Sequence, residues 1–286
     1  MRKLAVTALV VAAVALTGAY VVSRRVDVRV PFVSDTCRVY AGEDVVRIDP
    51  DQLTHAATIT AVAARRSLPP RAATIALATA LQESKLRNIG YGDRDSVGLF
   101  QQRPSQGWGK PAQLSQPRYA ASKFYDHLLR VPGWRTMRLT DAAQAVQRSG
   151  HPELYQKWEA DATTLASALW GHQVGAVTCQ LRQRQQRAGD KAPPALVAEF
   201  AADIGRLSVS PRSEKAASTL TVAVGGGAKS SLGWRTAHWF VAKSQEYGIE
   251  RVGFAGIVWT AESGAWQPDR SAPDAQRVEV RIPART

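Results

Sequence analysis

Cysteine is scarce in this chain, and its few thiols stand far apart. Cys37 and Cys179 are the only two in 286 residues, and nothing around either marks it as a nucleophile. His55, His127, His151, His172 and His238 are scattered without the spacing of metal ligands, so no metal is expected. The run Gly225-Gly226-Gly227 is not followed directly by Lys-Ser/Thr and makes no phosphate loop. There is no internal repeat, no cofactor motif, and no strong strand pattern between residues 51 and 170. Basic and aromatic residues are not interleaved along one face, which argues against nucleic acid as a partner.

What is present is positive charge, +13 net, on a chain that is 45% hydrophobic. That apolar fraction excludes wholesale disorder, and the charge favours a polyanionic partner. From Leu4 to Val22 no residue is charged. As a helix this run rises roughly 28 Å, close to the thickness of a bilayer core. Residues 1–25 therefore read as an uncleaved single-pass anchor in the cell membrane, with the remainder extracytoplasmic. The alternative is a signal removed on secretion. In an exported protein an isolated cysteine pair suggests one disulfide; two unrelated buried thiols is the other reading. A Cys37–Cys179 bridge would close a loop on the order of 140 residues, stabilising the domain by ~3–5 kcal/mol in the chain-entropy model.

Residues 26–50 read as an extended lead. Helical spacing begins at Asp51 with Leu53, Ile59 and Val62; Pro69 and Pro70 break it and start a second, alanine-rich helix over about 71–86. Pro117 opens another, Thr140 can cap a short one, and 153–170 forms the last, so 51–179 is expected to be nearly all helix. Residues 180–209, rich in arginine at their start, read as a basic linker. Beyond them the pattern changes: strands at 219–224, 252–259 and 277–282, with a helix at about 232–247, predict a small α+β domain over 210–286.

The residues able to do chemistry cluster at the end of the second helix. Glu83 follows Leu77, Ala78, Ala80 and Leu81, so a helix can present its carboxyl from an apolar face. A carboxyl acting as a glycosidic general acid must be protonated near neutral pH, and apolar surroundings favour that form. Gly98-Leu99-Phe100-Gln101-Gln102 then sets amides, which bind sugar hydroxyls and acetamido groups, beside an aromatic ring. Trp108 offers a face for stacking on a pyranose. The plain alternative is a solvated helix end followed by a surface loop.

Glu83-Ser84 followed by Gly98-Leu99-Phe100-Gln101 resembles the Glu-Ser and Gly-Leu-Met-Gln motifs of lytic transglycosylases and goose-type lysozymes. A third motif of that family, Ala-x-Asn-x-Gly followed by Tyr, has a looser counterpart in Ala145 to Gly150 and Tyr155. Gln147 stands there for Asn, and one extra residue precedes Gly150. The resemblance spans about residues 50–172. It implies an all-α lysozyme-like domain that cuts the β-1,4 link between N-acetylmuramic acid and N-acetylglucosamine in peptidoglycan glycan strands. It implies Glu83 as the catalytic acid and base, Ser84 orienting it, and Gln101, Gln102, Gln147 and Tyr155 lining the sugar site. Each has a bland reading as a helix-end, surface or core residue. One carboxylate suffices for a transglycosylase, whereas an inverting hydrolase needs a second about 6.5–9.5 Å away. Asp93 and Asp95 are the candidates, or else turn residues around Gly92.

The segment from about 210 to 282 is similar to the D-alanyl-D-alanine carboxypeptidase-like domains of bacterial cell-wall proteins. Those with peptidase activity hold zinc through an early His and Asp and a late His in a His-Val-His-Val strand. Here that strand reads Arg277-Val278-Glu279-Val280, and no His or Asp precedes the helix carrying His238. The resemblance therefore implies an inactive domain, either a binder of peptide stems or a packing module. The expected architecture is an N-terminal transmembrane helix, an all-α lysozyme-like domain and a small α+β C-terminal domain. The expected function is glycan-strand cleavage by one catalytic Glu, with a non-catalytic cell-wall-binding or scaffolding protein as the alternative.

Overall fold

Proline starts most of the helices in the first half of the protein. Pro50, Pro70, Pro111 and Pro117 each occupy the first turn of a helix, where a missing N–H costs nothing and a preset φ helps. The helices are α1 (Pro50–Arg65), α2 (Pro70–Ser84), the short α3 (Pro111–Leu114) and α4 (Pro117–Leu128). They are followed by α5 (Leu139–Gln147), a 3-10 turn (Pro152–Trp158) and α6 (Glu159–Leu169). The computed structural model describes residues 35–181, 192–205, 207–213 and 216–284. The anchor expected at 1–25 and the basic run at 182–191 lie outside them. Among the described residues no helix is long and apolar enough to cross a membrane.

Helix α2 is the centre of the helical part. Every residue from Ala72 to Leu81 is buried, and the small side chains let α1, α5 and α6 approach it closely. It stops in a left-handed cap: Lys85 and Leu86 have φ of 56°, and their N–H groups return to Leu81 O and Ala80 O. Glu83 and Ser84 are thus the last residues of a buried helix, held where it emerges.

The domain is not all-α, which overturns the lysozyme-like expectation. Strands β1 (Thr36–Ala41), β2 (Asp44–Ile48) and β3 (Val177–Gln180) form an antiparallel sheet in the order β2-β1-β3. Within it Cys37 lies directly opposite Cys179, and the two are joined by a disulfide. Within the expected extended lead, residues 36–48 therefore form a hairpin, while 26–34 lie outside the described residues. Its alternation, with Cys37 and Val39 buried and Arg38 exposed, fits a strand lying on α6.

The chain then forms α7 (Ala192–Asp203), β4 (Val209–Ser213), β5 (Ala217–Ala223), α8 (Ser231–Ala242) and α9 (Ser244–Tyr247). It ends in β6 (Arg251–Phe254), β7 (Ile257–Thr260), β8 (Trp266–Pro268) and β9 (Arg277–Pro283), and these strands make an antiparallel six-stranded sheet, β4-β5-β9-β6-β7-β8. The apolar run at 252–259 is not one strand. Ala255 and Gly256, both at positive φ, turn it into the β6–β7 hairpin. Helix α8 joins the two regions, packing on β6 and β9 on one side and on α1, α6 and β3 on the other. The described residues accordingly form one unit of mixed α+β architecture.

Candidate active site

The partly buried carboxyl of Glu83 accepts a 2.6 Å hydrogen bond from the Tyr155 hydroxyl. Tyr155 comes from the 3-10 turn packed on α2 and is fully buried. Burial pushes its hydroxyl above the usual phenol range, and the charge on Glu83 adds to that. It therefore stays protonated and donates. Ser149, just beyond α5, also lies against this hydroxyl. Beside it Trp158 Nε1 donates to Gln82 Oε1 at 3.0 Å, and the Lys85 ammonium sits 4.2 Å from the centre of the Trp158 ring. Burial, then the nearby Lys157, lowers the pKa of Lys85.

Ser84 does not touch the carboxyl through any described bond. Its hydroxyl donates to Leu99 O at 2.7 Å and back to Ala80 O at 3.1 Å. From the opposite side, Gln147 Nε2 donates to Phe100 O at 2.7 Å. The Gly98-Leu99-Phe100-Gln101 segment is thus clamped between the end of α2 and the end of α5. Gly98, at φ of 78°, is required there, since a Cβ would fall 2.5 Å from Leu114 O. Gln101 folds over its own loop, its amide donating to Gly98 O, and its side chain fills the space a Cβ on Gly92 would need. Gln102 points inward: it is buried, and its amide donates to Ala120 O in α4 at 3.1 Å. The structure thus brings Glu83, Tyr155, Ser84 and Gln147 together and turns Gln102 away.

The two loop aspartates are placed differently from each other. Asp95 accepts from Arg103 Nε at 2.9 Å and from the Ser105 backbone N–H and hydroxyl, contacts that hold its carboxyl well below the usual carboxylate range. It staples the loop. Asp93 is 89% exposed, with only Arg94 near it at 3.9 Å.

Gln147 also lines a groove of about 510 Å³, together with Gln106, Trp108, His127, Arg130 and Arg148 among others. Trp108 lies flat on His127, ring centres 3.9 Å apart, and only 7% of it is exposed. Sequence reading picked out Trp108 and Gln147 here but missed Ser149, Trp158, Arg130 and Arg148. The signal for Arg148 was weak: it is the left-handed cap of α5, a role usually given to Gly or Asn.

In the C-terminal region His238 is fully buried. Its Nε2 accepts the Ala176 N–H at 3.0 Å, and its Nδ1 is 2.8 Å from Ala168 O. Both ring nitrogens are engaged, and among the described residues no group of His, Cys, Asp and Glu is arranged to hold a metal. A search against protein-family models and against curated proteins found no match for this chain.

Proposed function

We propose that this protein cuts peptidoglycan glycan strands outside the cytoplasm by a transglycosylase reaction, with Glu83 as acid and then base. The observation that carries the reading is the short hydrogen bond from Tyr155 to Glu83 at the end of a buried helix; Gln147, which braces the neighbouring Phe100 loop, lines a groove. In the first step Glu83 gives its proton to the bridging oxygen between the aminosugars. The C1–O bond breaks, leaving an oxocarbenium-like muramyl centre. In the second step the Glu83 carboxylate takes the proton of the muramyl 6-hydroxyl, whose oxygen bonds to C1. The product is a 1,6-anhydro sugar, and Glu83 is again protonated. Tyr155 fixes the carboxyl throughout.

The state of the two loop aspartates favours this one-carboxylate route over an inverting hydrolase. Asp95 spends its lone pairs on Arg103 and Ser105, and Asp93 sits in solvent. The basic chain suits an anionic wall, and residues 1–25 supply the membrane anchor in this reading. The C-terminal sheet, with His238 committed to two backbone groups, serves as an inactive packing or binding module.

The test is to incubate the full chain and its Glu83→Gln variant with purified peptidoglycan and weigh the released muropeptides. Products lighter by one water than hydrolytic ones, absent with Glu83→Gln, are expected. Hydrolytic masses would reinstate a second carboxylate. No release by the unaltered chain would leave the non-catalytic wall-binding alternative.

A further inference from the structure

The groove beside Gln147 carries charge that the cleavage chemistry does not use. Arg130 and Arg148 both line it and both are exposed. Among the described residues neither guanidinium has a carboxylate partner. Elsewhere on the surface the arginines are mostly engaged: Arg138 holds Asp141 and Glu153, Arg103 holds Asp95, and Arg66 holds Asp126. No Asp or Glu is among the residues lining the groove.

The Trp108–His127 stack lines the same groove. Burial, then the nearby Arg130, lowers the pKa of His127, which is therefore neutral at physiological pH. The groove thus combines two exposed cations with an uncharged ring pair. It is coupled to the acid by the chain itself, since Arg148 precedes Ser149, whose side chain lies against the Tyr155 hydroxyl, and Tyr155 holds Glu83.

We infer that Arg130 and Arg148 recognise carboxylates carried by the muramyl units of the substrate, so that the site selects acidic glycan over neutral glycan. The inference rests on the peptidoglycan reading above and deepens it. A planar guanidinium binds a carboxylate through two parallel N–H donors, and an unpaired one in a groove loses little on doing so. The carboxylate has two sources on such a strand: the lactyl group of a muramyl unit without peptide, and the acidic residues of an attached peptide stem.

The test uses the full chain carrying Glu83→Gln, so that binding is read without turnover, and three ligands of matched length in calorimetry. These are an N-acetylglucosamine oligomer, glycan strands stripped of peptide by an amidase, and strands bearing their peptides. At least one muramyl ligand is expected to bind about tenfold tighter than the neutral oligomer. Adding Arg130→Gln and Arg148→Gln should abolish that gap, and raised salt should narrow it. A gap confined to peptide-bearing strands assigns the stem carboxylates; a gap shared by stripped strands assigns the lactyl group. Equal binding of all three ligands, or a gap that survives both substitutions, overturns the inference and leaves the glycan reading standing. Binding of none overturns both. The two arginines are exposed, so the variants are expected to fold as the parent does.

Discussion

The Tyr155 hydroxyl donates to Glu83 Oε1 at 2.6 Å across 72 residues of chain. The donor is buried and cannot swing away, while the acceptor ends a helix that is buried along its length. This pair sets the direction of the Glu83 carboxyl. Tyr155→Phe keeps the ring and removes only the donor. Turnover of peptidoglycan should fall about 10–100-fold with KM little changed, because an orienting partner acts on the reacting group. Stability should change by only about 1 kcal/mol. Turnover equal to the parent's would remove Tyr155 from the acid's support, whatever the urea midpoint does.

The disulfide joins β1 to β3 across a sequence separation of 142. Everything between, including the whole candidate site, lies inside that loop. Reducing it frees the unfolded chain far more than the folded one, because register already holds Cys37 beside Cys179. The double variant Cys37→Ala, Cys179→Ala should lose ~3–5 kcal/mol in denaturant unfolding, with the folded-state circular dichroism unchanged. A loss below about 1 kcal/mol would mean that the unfolded chain is already compact without the bond.

Much of the helical part was legible in the sequence because proline and apolar spacing are local signals. Helices predicted from Asp51, Pro70 and Pro117 appear as α1, α2 and α4. The strands were harder. β1 and β3 are far apart in sequence and each is short, so neither announces its partner. Their sheet exists because β1 can lie on α6, a tertiary fact. Helix α7 was hidden in a segment read as linker, since it is rich in alanine and its anchoring comes from distant residues. At the site, Glu83 and Tyr155 stood out only through motif spacing. Gln102 shows why such spacing runs out: it neighbours Gln101, yet the Val97–Gln102 bridge turns its side chain into the core.

Asp203 holds α7 in place. Its side chain is fully buried and accepts from Arg118 Nε at 2.7 Å, Trp239 Nε1 at 3.0 Å and Thr58 Oγ1 at 3.2 Å. These donors belong to α4, α8 and α1, so one carboxylate gathers three helices. A neighbouring pair, Lys243 and Glu199, is joined at 2.5 Å; burial pushes Glu199 up, but Lys243 and Tyr247 outweigh that and bring it below its ordinary value. Asp203→Ala leaves the donors facing a void and should cost about 3–5 kcal/mol, as breaking a buried charged pair does. Hydrogen exchange should speed first in α7. A cost under about 1 kcal/mol would mean that water or Glu199 takes over the three donors.

His238 makes stability depend on pH in a defined direction. Burial, partly offset by the Ala168 carbonyl, lowers its pKa from 6.5 to about 4. The reason is visible in the ring: Nε2 already accepts a backbone N–H, so a proton there would displace Ala176. The folded state thus resists protonation that the unfolded chain accepts. Above pH 6.5 the ring is neutral in both states and its contribution is whole; as pH falls from 6.5 to about 4 that contribution is lost. The total is about 3 kcal/mol, at roughly 1.4 kcal/mol per unit. His238→Gln replaces the ring with a group that does not titrate. Although this variant is expected to be less stable at neutral pH, it should lose less of its urea midpoint on acidification than the parent. Parallel loss in both proteins would assign the acid sensitivity to carboxylates such as Glu199 rather than to the buried ring.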